Sequence, residues 1–314
     1  MELRLSHSKR ARFRKCPKLF KLHDINRVRS RFRPSYFAFG TATHEGIRAW
    51  LQGIPIKTKN KKTGKIIHIV DRIYAQEIDM SRLDAQKLDK INVEKAKVKG
   101  IIDGYIAHYR NDKKNYPKIV TEREETVTIP GYFNFKGTPF DRVTYFGKID
   151  CLMQDKNGDW WIKETKTTAD DVGNFIAAAK WNAQVCGYML LAKATLGKWP
   201  RGILYDVIVK SGISQRKSKN RESLAQFQNR CYKLYAEQGA EEGLFIREKI
   251  IFNARHLKIW MRETKFEAED ILDAYRNKRF PMNFESCKGK YGLCDMFNVC
   301  SSGTIKKVLY TVGK

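Results

Sequence analysis

The spacing of apolar residues divides the chain into helical and extended stretches. Over residues 84–109 apolar side chains recur at helical spacing, which predicts a long helix. Residues 119–166 consist of β-branched and aromatic runs broken by Pro-Gly and Asn-Gly pairs, which is typical of strands joined by turns. Thr167 and Thr168 are candidate caps of a following helix. The stretch after these threonines, to residue 194, is predicted to be mostly helical. Further helices are predicted over 43–51, up to about residue 237 and over 255–278, and further strands over 203–209 and 244–252.

The helical and extended stretches follow one another without an internal repeat or a linker rich in Pro, Gly or Ser. The sequence therefore predicts one mixed α/β domain spanning residues 1–314. A polar, basic run at 57–65 predicts an exposed loop. Together with the helices near it, this loop indicates an insertion at 52–116.

The net charge of the chain indicates which class of molecule it binds. Lys and Arg total 61 against 34 Asp and Glu, which gives a formal net charge of +27. Basic surfaces bind nucleic acid because each phosphate contact releases condensed counterions. The excess favours a polyanion, although composition leaves DNA, RNA and an anionic membrane open.

Composition excludes several other classes. Hydrophobic residues make up 42% of the chain, which is enough to bury a core and argues against disorder. Seven cysteines are too sparse, and odd in number, for a secreted disulfide scaffold. No run approaches the ~20 apolar residues of a membrane-spanning helix, and no apolar signal segment follows Met1. We therefore expect a cytoplasmic protein with no membrane partner.

A predicted hairpin at 145–168 holds the most informative side chains. The residues of its first strand that alternate onto one face, predicted to be the core side, are Val143, Tyr145, Ile149, Cys151 and Met153. Asp150 then points to the opposite face. In the second strand Glu164 and Lys166 share a face, and Thr165 points the other way.

The turn decides whether the two carboxylates meet. A two-residue turn would place Asp150 opposite Thr165. A three-residue loop at 156–158, with its final glycine in the left-handed conformation, would place Asp150 opposite Glu164, with Lys166 as a diagonal neighbour. We predict the three-residue loop.

Two facing carboxylates and a lysine suit the chemistry of phosphate esters. The carboxylates repel each other, and burying both is costly unless a cation neutralises them. Oxygen ligands suit Mg²⁺ or Mn²⁺, which can bind phosphate oxygens and activate a water. A nearby lysine can position that water and offset charge on the phosphate. The alternative is an Asp–Lys–Glu ion-pair set on a solvated sheet face.

Four short motifs occur in a fixed order around this hairpin. They are G-x-x-x-H from Gly40 to His44, G-x-x-D from Gly147 to Asp150, E-x-K from Glu164 to Lys166 and Q-x-x-x-Y from Gln184 to Tyr188. The ordered set resembles the core of the PD-(D/E)XK nucleases in their RecB-like branch. The resemblance implies a restriction-endonuclease-like fold, with a central mixed sheet flanked by helices.

The resemblance also implies a role for each motif residue. Its implied site consists of metal ligands at His44, Asp150, Glu164 and the main-chain carbonyl of Thr165, a catalytic Lys166, and Gln184 and Tyr188, which line the site and hold the nucleic-acid strand. A lone histidine near a helix start is more often a cap or a packed residue, and the glutamine and tyrosine could equally pack helix against sheet. Glu122 and Glu124 are further candidates for the acidic pocket.

The cysteines fall into two groups. Cys151, Cys186 and Cys231 lie in predicted strands and helices and are interpreted as ordinary buried thiols. The other four are Cys16 near the start of the chain and Cys287, Cys294 and Cys300 near its end, with the spacing C-x6-C-x5-C.

One early and three late cysteines resemble the iron–sulfur nucleases of the RecB-like branch, which include AddB-type repair nucleases, CRISPR adaptation nucleases and phage exonucleases. The resemblance implies a 4Fe–4S cluster that ties the two chain ends together. Six residues between Cys287 and Cys294 depart from the commoner C-x2-C-x5-C spacing. Zinc is the main rival for the same four ligands.

The sequence thus predicts a metal-dependent nuclease that hydrolyses the phosphodiester bonds of DNA and prefers single-stranded ends. Phage or bacterial replication, recombination or repair is the expected setting. The alternative from another class is a nucleic-acid-binding partner in recombination or CRISPR adaptation, with weak or endonucleolytic cleavage. Intact Asp150, Glu164 and Lys166 favour the enzyme, since a pure binding protein has no need of them. A ribonuclease remains a third possibility.

Overall fold

The computed structural model is built around a six-stranded mixed sheet with helices on both faces. It describes residues 1–31, 35–59, 64, 66–80, 83–169, 172–179, 181–217, 222–289 and 292–313, except for the side chains of Glu122 and Arg123. The predicted mixed α/β class is confirmed.

The strands are β1 (Glu2–Leu5), β2 (Val28–Ser30), β3 (Lys57–Lys59), β4 (Ile66–His68), β5 (Lys118–Thr128), β6 (Arg142–Gln154), β7 (Trp160–Thr168), β8 (Gly202–Val209), β9 (Phe245–Ile251), β10 (Lys288–Gly289), β11 (Gly292–Leu293) and β12 (Tyr310–Val312). The α-helices are α1 (His7–Lys15), α2 (Pro17–Phe20), α3 (Ser35–Gln52), α4 (Ile69–Glu77), α5 (Ala85–His108), α6 (Asp112–Asn115), α7 (Val172–Ala179), α8 (Ala183–Leu196), α9 (Leu224–Glu237), α10 (Ala254–Arg276) and α11 (Phe297–Ser302). A π-helical turn spans Lys21–Ile25, and a 3₁₀ turn spans Phe284–Ser286.

Local sequence signals place most of these elements, and two of the expectations about them are wrong. Thr167 and Thr168 end strand β7 instead of capping a helix. The predicted loop at 57–65 begins with strand β3, which pairs with β4, although residues 60–63 and 65 lie outside the described part of the chain. The stretch to residue 194, predicted to be mostly helical, contains two helices. The Asn182 side chain caps the second by accepting a hydrogen bond from the Gln184 N–H at 2.9 Å.

Strand β6 pairs with different partners along its two edges. On one edge β5 runs antiparallel to it, with pairs from Thr128–Thr144 to Lys118–Gln154. On the other edge β1 pairs in parallel with residues 142–145, and β7 pairs antiparallel with residues 151–154. Residues 146–150 lie between those two partners. This opening in the sheet, the β6 gap, includes Asp150.

The register of the β6–β7 hairpin confirms the predicted three-residue loop. The paired residues run from Gln154–Trp160 to Cys151–Lys163, so Asp150 and Glu164 are the next facing positions. Gly158 has a φ of +83°, in the left-handed region that favours glycine.

The prediction of a single buried face on β6 is wrong, because helices cover both faces of the sheet. Val143, Tyr145 and Ile149 pack in one core cluster with side chains of α8 and α10. Cys151 and Met153 pack in a second cluster with side chains of α3, α4 and α5. These five side chains of β6 therefore pack on one face of the sheet before Asp150 and on the other face after it.

The helices of the segment 52–116 lie against the sheet and against α9. Gly100 and Gly104 of α5 allow the close approach to α9, since a Cβ on Gly100 would lie 2.5 Å from the Cβ of Cys231. A Cβ on Gly104 would lie 2.6 Å from the Cβ of Tyr235.

A buried network of charges ties α5 and α6 to the sheet. The Lys163 ammonium lies 2.7 Å from the Asp206 carboxylate, and both side chains are 1% exposed. Arg247 reaches Asp206 at 3.0 Å and Asp112 at 2.8 Å, and the Tyr105 hydroxyl donates to Asp206. Two cations and two carboxylates therefore compensate one another in the interior, as buried charges require.

Within the described ranges, no helix has the length and apolar character needed to cross a bilayer.

Candidate active site

Helix α3 brings His44 to the β6 gap. The helix packs closely on α5, where a Cβ on Gly46 would lie 2.5 Å from Cδ1 of Ile102. Nδ1 of His44 lies 3.3 Å from Oδ2 of Asp150, and both side chains are partly exposed. The structure thus brings together the histidine and the aspartate that the motifs single out.

Glu164 and Lys166 form the opposite side of the site on β7. The Glu164 side chain is 1% exposed and forms an ion pair with the Lys166 ammonium through Oε1. Its second oxygen, Oε2, is buried and has no hydrogen-bond partner. An unpartnered carboxylate oxygen in the interior is costly unless something binds it.

Helix α8 supplies the two remaining motif residues. Lys166 Nζ donates a hydrogen bond to Oε1 of Gln184 at 2.8 Å. Nε2 of Gln184 in turn donates to the Tyr188 hydroxyl at 2.9 Å. The one-turn spacing of glutamine and tyrosine places both on one helix face, and there they hold the lysine in position.

Two glycines allow α8 to lie directly on β6. A Cβ on Gly147 would lie 2.9 Å from Cδ1 of Leu191. A Cβ on Gly187 would overlap the Tyr145 hydroxyl. The glycine of G-x-x-D therefore permits a close helix approach, which puts the α8 side chains beside Lys166.

The two carboxylates have opposite pKa shifts. Burial opposes ionisation of Asp150, but the hydrogen bond and charge of His44, with the charges of Lys166 and Lys163, lower its pKa below the usual value. Burial raises the pKa of Glu164 despite the charge of Lys166, and Asp150 adds to the rise. Each carboxylate is influenced by the charge of His44, so the groups share one electrostatic environment.

The comparison with protein families decides the class of this site. The family model of the PD-(D/E)XK nuclease superfamily matches residues 4–300. The chain belongs to the PD-(D/E)XK nuclease superfamily. It is therefore a nuclease, and members of this superfamily generally use Mg²⁺ or Mn²⁺.

Solved structures give weaker likenesses. A crystal structure of a protein from Eubacterium rectale, provisionally named an exonuclease, is 10% identical over 96% of this chain and 88% of that one, with a TM-score of 0.45. The crystal structure of SSO0001 is 13% identical over 74% of each chain, with a TM-score of 0.29. No curated protein matches the sequence.

The donor set of the nuclease site suits a hard divalent cation. Imidazole nitrogen and carboxylate oxygen are ligands of Mn²⁺, and carboxylate oxygen is the usual protein ligand of Mg²⁺. The unpartnered Oε2 of Glu164 is the atom that such a cation would satisfy. Among the described residues, however, no three His, Cys, Asp or Glu side chains lie close enough to form a ready metal-binding group.

Lys163 is a neighbour of the site that sequence reasoning missed. It lines a cavity of about 80 Å³ together with His44, Asp150 and Thr165. Lys163 Nζ donates a hydrogen bond to the Thr165 hydroxyl at 2.6 Å. Alternation along β7 could have identified it, since a lysine on the face opposite Glu164 points into the core and needs a buried partner, here Asp206.

His7 is a second neighbour that the sequence did not indicate. It begins α1, directly after β1 at one side of the β6 gap. Burial, followed by the charges of Arg14, Lys166 and Arg10, lowers the pKa of His7 to about 4. The N-terminal helix therefore lies within reach of the Lys166 charge.

The four cysteines predicted as cluster ligands lie in one region of the structure, but their described side chains do not form a closed ligand set. Cys16, Cys294 and Cys300 pack against the same small apolar cluster. The Cys294 N–H donates to the Cys287 carbonyl at 2.8 Å. Burial and then the neighbouring cysteines raise the pKa of the Cys300 thiol. Like the motif residues, the cysteines do not form a ready metal-binding group among the described residues.

Glu124 and Glu122 are the two further candidates for the acidic pocket. Glu124 of β5 pairs with Lys148 of β6, which lies two residues before Asp150. The side chain of Glu122 lies outside the described residues.

Proposed function

We propose that this nuclease is a metal-dependent deoxyribonuclease that hydrolyses phosphodiester bonds at single-stranded DNA ends. The observation that carries the proposal is the state of Glu164, which is buried, bound to Lys166 through one oxygen and unpartnered at the other. The hairpin register places this carboxylate opposite Asp150. A divalent cation would satisfy both carboxylates at once.

The residues of the site would have separate roles in hydrolysis. His44, Asp150, Glu164 and the main-chain carbonyl of Thr165 would hold a Mg²⁺ or Mn²⁺ ion. When bound, the ion supplies charge for the phosphate and lowers the pKa of a water. Lys166 would hold the attacking water and stabilise negative charge on the phosphate.

Lys166 is positioned for this role by contacts on both sides. Its ammonium contacts Glu164 and donates to Gln184, which is itself held by Tyr188. A side chain fixed by hydrogen bonds loses little conformational freedom when substrate arrives, which favours catalysis.

The preference for single strands is supported by an exposed aromatic residue three positions before Gln184. Trp181 precedes α8 by two residues, is 59% exposed and lies 4.1 Å from the His256 ring between centroids. Unpaired bases stack on such rings without sequence preference. The net charge of +27 provides the attraction for the backbone.

The substrate test offers matched single-stranded DNA, duplex DNA and RNA, each labelled at one end, with Mg²⁺ and with Mn²⁺. We expect cleavage of single-stranded DNA, with mononucleotides or short products released from one end. Products that begin at internal positions on closed circular single strands would contradict the preference for ends. Faster cleavage of RNA than of DNA would contradict the proposed substrate.

We also propose that Cys16, Cys287, Cys294 and Cys300 hold a 4Fe–4S cluster that joins the two chain ends. The support is their convergence on one small core, although a closed ligand set would require the thiols to move closer. Crosslinking the two ends of a long chain restricts its unfolded states and adds the metal-binding free energy to folding.

The cluster predicts a coloured protein. Anaerobically purified protein should be brown, with broad absorbance near ~400 nm and about four irons per chain. Cys294→Ser should remove the colour and lower the Tm by about 10 °C, which corresponds to several kcal/mol. Cys231→Ser, which changes a buried thiol outside this group, should keep the colour. Colourless wild-type protein with about one zinc per chain would overturn the iron–sulfur assignment.

A further inference from the structure

Both chain ends contribute to a charged groove outside the nuclease site. The groove has a volume of about 430 Å³ and is lined by Lys9, Asp24, Arg27, Arg29 and residues 311–313. We call it the terminal groove. Strand β12 pairs antiparallel with β2 at its floor, from Tyr310–Ser30 to Val312–Val28.

The backbone of the terminal groove is fixed by contacts between the two ends. The Gly313 N–H donates to the Arg27 carbonyl at 3.1 Å. Arg27 has a φ of +54°, in the left-handed region that non-glycine residues adopt at some cost. Val28 and Tyr310 bury their side chains in the small core that the cysteines contact. The groove is therefore a built feature of the joined ends.

The carboxylate in the groove, Asp24, is hydrogen-bonded to a cation outside the groove lining, and its charge offsets only part of the lining charge. Both oxygens of Asp24 accept hydrogen bonds from the Arg12 guanidinium, each at 2.7 Å. Burial opposes ionisation of Asp24, but hydrogen bonds with His23 and Arg12 lower its pKa to about 2. Asp24 is thus a paired anion, and the remaining lining charge is positive.

Neutral backbone acceptors hold two of the groove cations. Lys9 Nζ donates to the Arg4 carbonyl at 3.1 Å. The Arg29 guanidinium donates to the carbonyls of His23 and, at 3.0 Å, Val28. A carbonyl orients a cation without cancelling its charge. Burial lowers the pKa of both side chains, and the charge of Asp24 raises it. Such fixed cations suit a phosphodiester oxygen.

Two cations next to the terminal groove lie over an aromatic ring of the β6 gap. In the β6 gap, Cζ of Arg4 lies 4.6 Å and Nζ of Lys9 lies 5.5 Å from the centroid of the Phe146 ring. Phe146 precedes Asp150 by four residues on β6, a distance of about 13 Å along an extended strand. A nucleic-acid strand of a few nucleotides spans this distance.

We propose that the terminal groove binds backbone phosphate of the nucleic-acid strand whose scissile bond lies between Asp150 and Glu164. Lys9 and Arg29 contact phosphate oxygens there, and Lys9 and Arg4 on the Phe146 ring guide the strand between groove and site. This inference rests on the proposed nuclease function and adds the course of the substrate across the protein.

The test is the salt dependence of DNA binding in the absence of divalent metal, when no cleavage competes. Anisotropy of a fluorescent dT strand is titrated between about 50 and 200 mM KCl. For single strands each phosphate contact contributes about 0.7 to the slope of log K against log salt concentration. Lys9→Gln and Arg29→Gln should each reduce the magnitude of the wild-type slope by about 0.7, and the double variant by about 1.4.

Lys156→Gln is the matched control for the loss of one positive charge. Lys156 is exposed in the β6–β7 loop. Gln154, the last residue of β6 before this loop, lies eight residues from Phe146, or about 27 Å along the strand. We expect this variant to keep the wild-type slope. Circular dichroism and Tm establish that all variants fold alike.

Two results would overturn the groove assignment. One is a wild-type slope in both groove variants. The other is binding of inorganic phosphate that both substitutions remove while strand binding is the same in wild type and variants, since this describes an isolated phosphate site without a strand. A protein that binds DNA with the predicted slopes but cleaves nothing would contradict the proposed function and leave the groove intact.

Discussion

Asp150→Asn is expected to reduce metal-dependent DNA cleavage by at least about 10³-fold, which corresponds to about 4 kcal/mol of transition-state stabilisation. The amide keeps the size of the side chain but removes the charge that faces Glu164 and accepts from His44. DNA binding without metal should remain within about twofold, because the groove cations are unchanged. Single-turnover cleavage and anisotropy measure the two effects separately.

Asp159→Asn is the matched control in the same hairpin. Asp159 is a partly exposed residue next to the loop, 3.8 Å from Arg201, and lies away from the β6 gap. Its substitution should leave cleavage unchanged. Full cleavage by the Asp150 variant would refute the site as assigned, whatever the identity of the metal.

Asp206→Asn is expected to have the largest effect on stability. The substitution leaves Lys163 buried without a carboxylate and removes one partner of Arg247. Breaking a buried ion pair from one side costs about 3–5 kcal/mol of unfolding free energy. Denaturant titrations of wild type and variant measure the difference directly.

Asp273→Asn is the exposed counterpart of that change. Asp273 pairs with Arg276 at 2.7 Å, but its side chain is 61% exposed, so its loss should cost no more than about 1 kcal/mol. Equal losses in the two variants would contradict the importance of burial.

The contribution of Asp206 should also depend on pH. Burial opposes its ionisation, but Lys163 and Arg247 lower its pKa below the usual value of 3.8. A carboxyl with a lowered folded-state pKa stabilises the fold above its unfolded pKa and loses that contribution as the pH falls toward the folded value. The difference between wild type and the Asp206 variant should therefore be constant near neutral pH and shrink in strong acid.

The hairpin of the site could be predicted from sequence because its determinants are local. Residue alternation fixed the relation between Glu164 and Lys166, and the loop chemistry at 156–158 fixed the partner of Asp150. Motif order then identified the family, which the family match confirms. The roles of the individual side chains remain predictions for the variants above.

The surroundings of the site could not be predicted, because distant residues create them. Strand β1 is four residues long and forms only where β6 offers an edge, so local pattern did not reveal it. The change of face at Cys151 depends on helices packed on both sides of the sheet. The bond between Lys163 and Asp206 joins strands separated by two helices in sequence. Such long-range pairings determine where the gap, the buried charges and the terminal groove lie.

The most direct measurement of the central claim is removal and return of the divalent cation. Purified wild-type protein is incubated with end-labelled single-stranded DNA in EDTA, then with excess Mn²⁺ or Mg²⁺, beside Asp150→Asn protein prepared in the same way. The proposed site predicts no cleavage in EDTA, cleavage by wild type once metal is returned, and none by the variant. Cleavage that continues in EDTA, or that wild type and variant share, would contradict a metal-dependent nuclease site at Asp150 and Glu164.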